Sequence, residues 1–377
     1  MRYKIRKNNE TPAYLQLYEY IKFDIIKGIY PFEQKLPSKR DLAQSCNVSL
    51  ITVTHALELL CEEGYIKSRQ RSGYYVSFKF YDGFASSASD EMSHIGSHNI
   101  TRRVSNDMTS SKEMKFPYST FTKTMRRVMS DYGEDILKNC PNEGCYELRE
   151  QIRLYLARNR GIYVDSSQII IGSGAEYLYS VIAMIFKDIF SDKMMFAIES
   201  PSYEKIEQVY KSLDVKLDLL PLVKDGVDLK ALSNTKAKVL HISPYRSYPT
   251  GITASASKRF EYLAWAGTDK YIVEDDFESE FSVSRKSEET LFAMSCEENV
   301  IYMNTFSKTI SASLRLGYMV LPKKLISVYN KKMGFKSCTV PTFEQLVIAQ
   351  LIKCGDFERH INRVRRYKRN LLSTDKE

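Results

Sequence analysis

Between Gln168 and Met303 the chain repeats one pattern. A short run, apolar on both faces, is followed by a stretch with helical spacing. The runs are Gln168–Ile171, Met194–Ile198, Val215–Leu220, Val239–Ser243, Tyr271–Glu274 and Val300–Met303. Such runs predict strands covered from both sides, because a strand with one wet face alternates apolar and polar residues. Glu176–Phe190, Tyr203–Leu213 and Ser257–Gly267 lie between the runs and predict the covering helices. The pattern therefore points to an α/β domain with a mostly parallel sheet. In open sheets of this kind ligands bind beyond the carboxyl ends of the strands, so the residues just after each run are the ones to inspect.

The first 79 residues follow a different pattern. Pro12–Lys27 places the apolar residues Leu15, Leu17, Ile21 and Ile25 at helical spacing, and Gly28 ends it. Ser38, with Asp41 three residues on, predicts a capped second helix. Asn47 marks a tight turn, and Ser49 caps a third helix, Leu50–Glu63, whose buried stripe is Val53, Ala56, Leu57 and Leu60. IKSRQRSGYYVS then reads as two short strands joined by a basic turn. Two helices joined by a short turn and followed by a β-wing form a winged helix-turn-helix, whose second helix enters the major groove by its first turn. Leu50, Ile51 and Thr52 are thereby expected at base edges. Ser38, Lys39, Arg40, the cap Ser49, and Ser68, Arg69 and Arg71 of the wing are expected along the phosphates. This segment carries 13 Lys/Arg against 8 Asp/Glu, and the other 298 residues carry 42 against 38. A basic head on a near-neutral body suits double-stranded DNA.

Residues 80–107, rich in Ser, Gly, His and Asn, read as a linker, and the body runs from 108 to 377. No apolar run approaches the ~20 residues needed to span a bilayer, and the charged N-terminus has no apolar core behind it. The seven cysteines are scattered without a CxxC pair and the five histidines show no metal-ligand spacing. These features predict a cytoplasmic protein without a metal site.

Five pieces of the body lie just after predicted strands. GSGAE (172–176) opens a helix, whose free N–H groups suit a phosphate. ESPSYEK presents Tyr203, an aromatic ring able to stack on a flat cofactor. SPYRSYPTG spans 243–251. EDDFESEF puts Asp275 at a strand end, where a carboxylate can hold a pyridinium nitrogen protonated. NTFSKTISASLRLGYMVLP carries Lys308 and, seven residues later, Arg315. A lysine amine is the group that joins an aldehyde cofactor, and an arginine suits its phosphate.

With these residues in view, LPSKRDLAQSCNVSLITVTHALELLCEEGYIKSRQRSGYYV resembles the head of GntR-type bacterial repressors. The body resembles fold-type I pyridoxal-phosphate aminotransferases, CYELREQIRLYLARNRGI from Cys145 adding to the likeness. Together they resemble the MocR-type subfamily of GntR regulators. The resemblance implies a DNA-binding transcription regulator whose body binds pyridoxal 5'-phosphate and senses it, or an amino compound that reacts with it, as a homodimer on an operator. It implies Lys308 as the Schiff-base lysine and Asp275 as the pyridinium partner. It implies Tyr203 stacked on the ring, and Ser173, Gly174, Ala175, Thr305 and Arg315 on the phosphate.

The chain departs from the family at several positions. Leu50 stands where the family has arginine, Phe277 where it has tyrosine, Arg246 where it has histidine and Asn139 where it has an aromatic residue. The chain ends 69 residues after Lys308, so the small domain is expected to be incomplete and to lack the arginine that clamps a substrate carboxylate. Arg363, Arg365 and Arg366 read as a charged helix face. Two other readings stay open: an aminotransferase with an accessory DNA-binding domain, and a regulator whose body is a cofactor-free scaffold.

Overall fold

The computed structural model describes residues 3, 5, 11–69, 72–78, 115–191, 194–282, 289–296 and 298–374. The expected linker, 80–107, and Arg71 lie outside these residues. In the head, α1 (Ala13–Ile26), α2 (Lys39–Cys46) and α3 (Leu50–Glu62) pack around Leu17, Ile21, Leu42, Val53, Ala56, Leu57 and Leu60. The capping box forms as expected: the Asp41 N–H donates to Ser38 Oγ, and the Asp41 carboxylate takes the Ser38 N–H and hydroxyl. Asn47, at φ 52°, turns the chain after α2, and Ser49 Oγ accepts the Thr52 N–H at 3.1 Å to start α3. The wing is an antiparallel pair, β1 (Ile66–Arg69) and β2 (Gly73–Val76), with Ile66 opposite Val76.

The body opens with α4 (Tyr118–Tyr132) and α5 (Tyr146–Arg160). There follow β3 (Ile169–Gly172), α6 (Ala175–Phe190), β4 (Met195–Ser200), α7 (Glu204–Ser212), β5 (Lys216–Val223), β6 (Gly226–Val227) and α8 (Leu229–Asn234). Then come β7 (Val239–Ile242), α9 (Ala256–Ala266), β8 (Tyr271–Asp275), α10 (Leu291–Met294), β9 (Val300–Thr305) and β10 (Gly317–Val320). Three helices close the body: α11 (Lys323–Met333), α12 (Thr342–Lys353) and α13 (Asp356–Thr374). The sheet runs β3-β10-β9-β8-β7-β4-β5-β6. Its centre is parallel, from β5 through β4, β7 and β8 to β9.

β10 was not among the expected strands. It lies antiparallel between β9 and β3, so β3 points the same way as β9. Side chains leave the sheet alternately. Ile169 and Ile171 enter the core under α4, α5 and α12, whereas Ile170 enters the core under α6 and α11, as the two-residue period of a strand requires.

The head rests on the body. Phe78 meets Phe260 of α9 edge-on at 5.2 Å, and Lys22 of α1 lies 2.5 Å from Glu289, just before α10. Among the described residues no helix is long and apolar enough to cross a membrane.

Candidate functional site

The carboxyl ends of β8 and β9 carry the principal groups. Asp275, the last residue of β8, is buried, and Met303 of β9 is its register neighbour. Its Oδ2 accepts the Tyr179 hydroxyl of α6 at 2.5 Å and lies 3.6 Å from Nε2 of His241 in β7. His241 shares a 2.7 Å hydrogen bond with Tyr210 through Nδ1, and its buried Nε2 has no hydrogen-bond partner among the described residues. Alternation sends the two flanking acids to the opposite face. Glu274 accepts the Leu291 and Phe292 N–H groups at the start of α10, each at 2.9 Å. Asp276 pairs with the buried Arg160 and accepts the Tyr302 hydroxyl at 2.8 Å and the Ser279 hydroxyl at 2.7 Å. Burial pushes Glu274, and also the nearby Glu280, up to about 7.

Lys308 sits in the loop between β9 and β10. Its Nζ is 3.5 Å from Glu278 Oε1 and lies over the Phe277 ring at 4.8 Å. Glu278 also faces Arg246 at 3.8 Å and Lys368 of α13 at 4.0 Å.

The turn from β3 to α6 forms a second cluster. Gly174 N-caps α6 at φ 94°, and a Cβ there would lie 3.1 Å from the Arg315 guanidinium. The positive φ is what favours glycine here, and a side chain would also crowd the arginine. Arg315 donates to Glu176 at 2.6 Å, and Lys205 reaches the same carboxylate from α7. The Lys205 hydrogen bond and the Arg315 charge hold Glu176 below the usual carboxylate range. Ala175 is the first residue of α6. The Ser173 N–H donates to Thr339 Oγ1 at 3.1 Å, and the Thr305 N–H is taken by Asn304 Oδ1. Tyr203 caps α7, its ring edge-on to Tyr248 at 6.2 Å.

Among the expected cofactor residues, Gly174 and Arg315 are thus brought into contact, and Asp275 and Lys308 stand at the ends of neighbouring strands. Arg315 meets a carboxylate that the sequence reading did not assign to it. Tyr179, His241, Glu176 and Glu278 were also not anticipated. His241 gave one signal: a histidine inside the apolar run VLHI, 1% exposed, must find partners. Arg365 differs from the expected charged face, because its Nε donates to the Glu280 carbonyl at 2.6 Å.

In the head, Leu50 and Ile51 are 48% and 69% exposed at the first turn of α3, with Thr52 bonded to Ser49. Ser38 is spent on its cap. Lys39 lies over Tyr74, and Arg40 and Ser68 are exposed. Arg69 is paired with Glu33, which Lys67 also reaches. That acid offsets part of the wing's positive charge.

A winged helix-turn-helix joined to a sheet with polar groups gathered at its strand ends defines a DNA-binding regulator built on an aminotransferase-like body. Comparison with known proteins makes this specific. Residues 13–76 match the bacterial regulatory proteins of the gntR family, and residues 108–373 match aminotransferase class I and II. The chain belongs to the MocR-type GntR transcriptional regulators, in which these two units are fused.

The HTH-type transcriptional regulator YdeL of Bacillus subtilis is 29% identical over 370 residues, covering 97% of this chain and 78% of that protein. The regulatory protein MocR of Rhizobium meliloti is 26% identical, covering 96% and 76%. The pyridoxine biosynthesis transcriptional regulator PdxR of Corynebacterium glutamicum is 25% identical, covering 98% and 79%. Among solved structures, Pyrococcus horikoshii kynurenine aminotransferase is 26% identical with a TM-score of 0.60, covering 67% of this chain and 64% of that one. An archaeal alanine:glyoxylate aminotransferase shares the fold at 22% identity and TM-score 0.59, with 62% of its length covered. The fold of the body is one that implies pyridoxal-phosphate binding.

Proposed function

We propose that the body holds pyridoxal phosphate at Lys308 and that its occupancy, or reaction of an amino compound there, sets DNA binding by the head. The observation that carries this reading is the buried Asp275 beyond the end of β8, fixed by Tyr179 and set beside a His241 nitrogen that lacks a partner among the described residues. Its neighbour strand leads into Lys308. The Gly174 turn, which opens α6 beside the Arg315 guanidinium, suits a phosphate. When bound, the cofactor supplies an aldehyde for an amine and a ring that withdraws electrons.

The chain's own residues then divide the work. Asp275 keeps the ring nitrogen protonated, and Tyr179 holds Asp275 in place. Lys308 provides the amine. Glu278 takes up the charge of Lys308, Arg246 and Lys368 while the site is open. Glu274 grips the start of α10, and Glu289 just ahead of it grips Lys22 of α1, so a shift at β8 has a direct route to the head. A homodimer would present two heads to two half-sites. The name of PdxR, a regulator of pyridoxine biosynthesis, agrees with a vitamin-related ligand.

One observation favours the cofactor-free scaffold instead: Arg315, the expected phosphate ligand, already has a carboxylate partner in Glu176. A single experiment separates the readings. Purified protein is mixed with pyridoxal phosphate, its visible absorbance recorded, and the adduct fixed with borohydride and mapped. A cofactor mass on the Lys308 peptide, absent in Lys308→Ala, is expected. Operator binding without any such adduct would establish the scaffold.

A further inference from the structure

Three of the seven cysteines, two of them five residues apart and the third far along the chain, meet at one glutamine. Cys140 precedes α5, Cys145 caps it, and Cys338 lies in the loop between α11 and α12. Gln345, in the first turn of α12, is fully buried among them. Its Oε1 accepts the Cys145 N–H at 2.7 Å. That contact fixes which end of the amide is oxygen, so the NH2 group must face the other way. It donates to the Val340 carbonyl at 2.8 Å and points at two sulfurs, Cys140 Sγ at 3.1 Å and Cys338 Sγ at 3.4 Å. Close packing locks this arrangement, since a Cβ on Gly144 would lie 2.4 Å from Ile171 and 2.8 Å from Gln345 Oε1.

Such a cluster has two ordinary uses, metal binding and redox chemistry. Among the described residues no group of three or more His, Cys, Asp or Glu side chains has the geometry to hold a metal ion. The Gln345 amide instead brings the two outer sulfurs to one nitrogen, with Cys140 the closer. Cys140 accepts the Gln345 amide at 3.1 Å, and the neighbouring Cys145 and Cys338 thiols together with that amide hold it well below the ordinary thiol range. Cys145 and Cys338 are pushed up, first by their hydrogen bonds to Cys140 and then by burial. A thiol held low beside a second sulfur that shares its amide donor suits an attacking sulfur with a resolving partner. Cys140 and Cys338 are half-buried, whereas Cys145 is buried, so the outer pair is the one a small oxidant reaches.

We propose that Cys140 is an oxidative modification site for hydroperoxides and that Cys338 resolves it to a disulfide. The Cys140 thiolate attacks the near oxygen of ROOH, the O–O bond breaks, and the departing alkoxide takes a proton to leave as ROH. The sulfur, oxidised by two electrons, is now a sulfenic acid. Cys338 attacks it, the S–S bond forms, and the hydroxyl leaves as water with the Cys338 proton.

The bond has a consequence for the site described above. Thr339, next to Cys338, holds the Ser173 N–H of the β3–α6 turn. Drawing Cys338 toward Cys140 moves that contact.

The test uses the full chain. Reduced protein is treated with hydrogen peroxide, its remaining thiols are alkylated, and its peptides are mapped. A Cys140–Cys338 linked peptide, reversed by dithiothreitol, is expected. Cys338→Ser should leave Cys140 as a sulfenic acid that dimedone traps, and Cys145→Ser should still form the link. Cys140 should also stay reactive from pH 8 down to pH 5, where an ordinary thiol slows about tenfold per pH unit. Oxidation confined to the exposed Cys296 and Cys354, or a Cys140–Cys145 link in the unmodified chain, would overturn the proposal.

Discussion

Replacing Glu199 by glutamine should change how stability depends on pH. Glu199 lies in β4, 4% exposed. Its Oε1 accepts the Ser247 hydroxyl at 2.6 Å and the Ser243 N–H at 3.2 Å. Burial, assisted by the charge of Asp275, pushes its pKa up from 4.5 to about 8. A carboxyl with a folded-state pKa above its unfolded value binds its proton more tightly in the fold. Its contribution is complete below the unfolded pKa, near 4.5, and is lost as pH rises through about 8. At about 1.36 kcal/mol per unit, the loss is on the order of 5 kcal/mol, comparable with the whole net stability of many proteins.

Glutamine keeps an acceptor for both donors and carries no titrating proton. In urea denaturation Glu199→Gln should match the unsubstituted chain within about 1 kcal/mol at pH 5 and exceed it by several kcal/mol at pH 9. With slopes of about 1–3 kcal/mol/M, that is a midpoint difference of more than about 1 M. Glu274 and Glu280, raised to about 7, lower stability over pH 4.5–7 in both proteins, so the difference isolates Glu199. Parallel midpoint-versus-pH curves would refute the reasoning.

Arg160→Met removes the cation from a buried pair and should cost about 3–5 kcal/mol in urea denaturation, part of it regained by adding Asp276→Leu; an unchanged midpoint would mean that the pair is solvated. Leu50→Arg places a charge at the exposed first turn of α3, so the slope of log K against log salt for operator binding should steepen by about 0.9. No change in slope would place that turn away from the phosphates. Glu176→Gln frees Arg315 beside the Gly174 turn and should tighten pyridoxal-phosphate binding roughly fivefold, about 1 kcal/mol for a part-exposed pair; spectroscopic titration giving equal or weaker binding would exclude Arg315 as a phosphate ligand.

What was legible in the sequence was local. The caps at Ser38 and Ser49, the turn at Asn47, the apolar runs and the helices between them depend on neighbours within a few residues, and they appear within three residues of the expected limits. β10 escaped because GYMV is embedded in the stretch carrying Lys308 and Arg315, and no local pattern encodes which way a strand runs. The buried polar groups escaped for a related reason. Arg160 and Asp276 are 116 residues apart, and Glu199 and Ser247 are 48 apart. Each alone reads as a surface residue or a flaw in an apolar run. Cys338 joins Cys140 and Cys145 only when the fold brings Gln345 of α12 against the start of α5.

The same distinction explains the electrostatics of the candidate site. The sequence alone places Lys308, Arg315 and Arg246 there, and the fold adds Lys205 and Lys368. The fold supplies two acids to hold them, Glu278 for Lys308, Arg246 and Lys368, and Glu176 for Arg315 and Lys205. Counting these seven groups alone, five cations face two carboxylates, and that excess suits a phosphorylated ligand. Each carboxylate also sets a threshold, since a ligand phosphate must displace it to reach the arginine or lysine behind. Under the proposed function, a body arranged in this way would bind its anion reversibly rather than keep it as a permanent fixture. Reversible binding is what a sensor requires, and it makes Glu176 and Glu278, rather than Lys308, the residues through which ligand affinity can be tuned without removing the site.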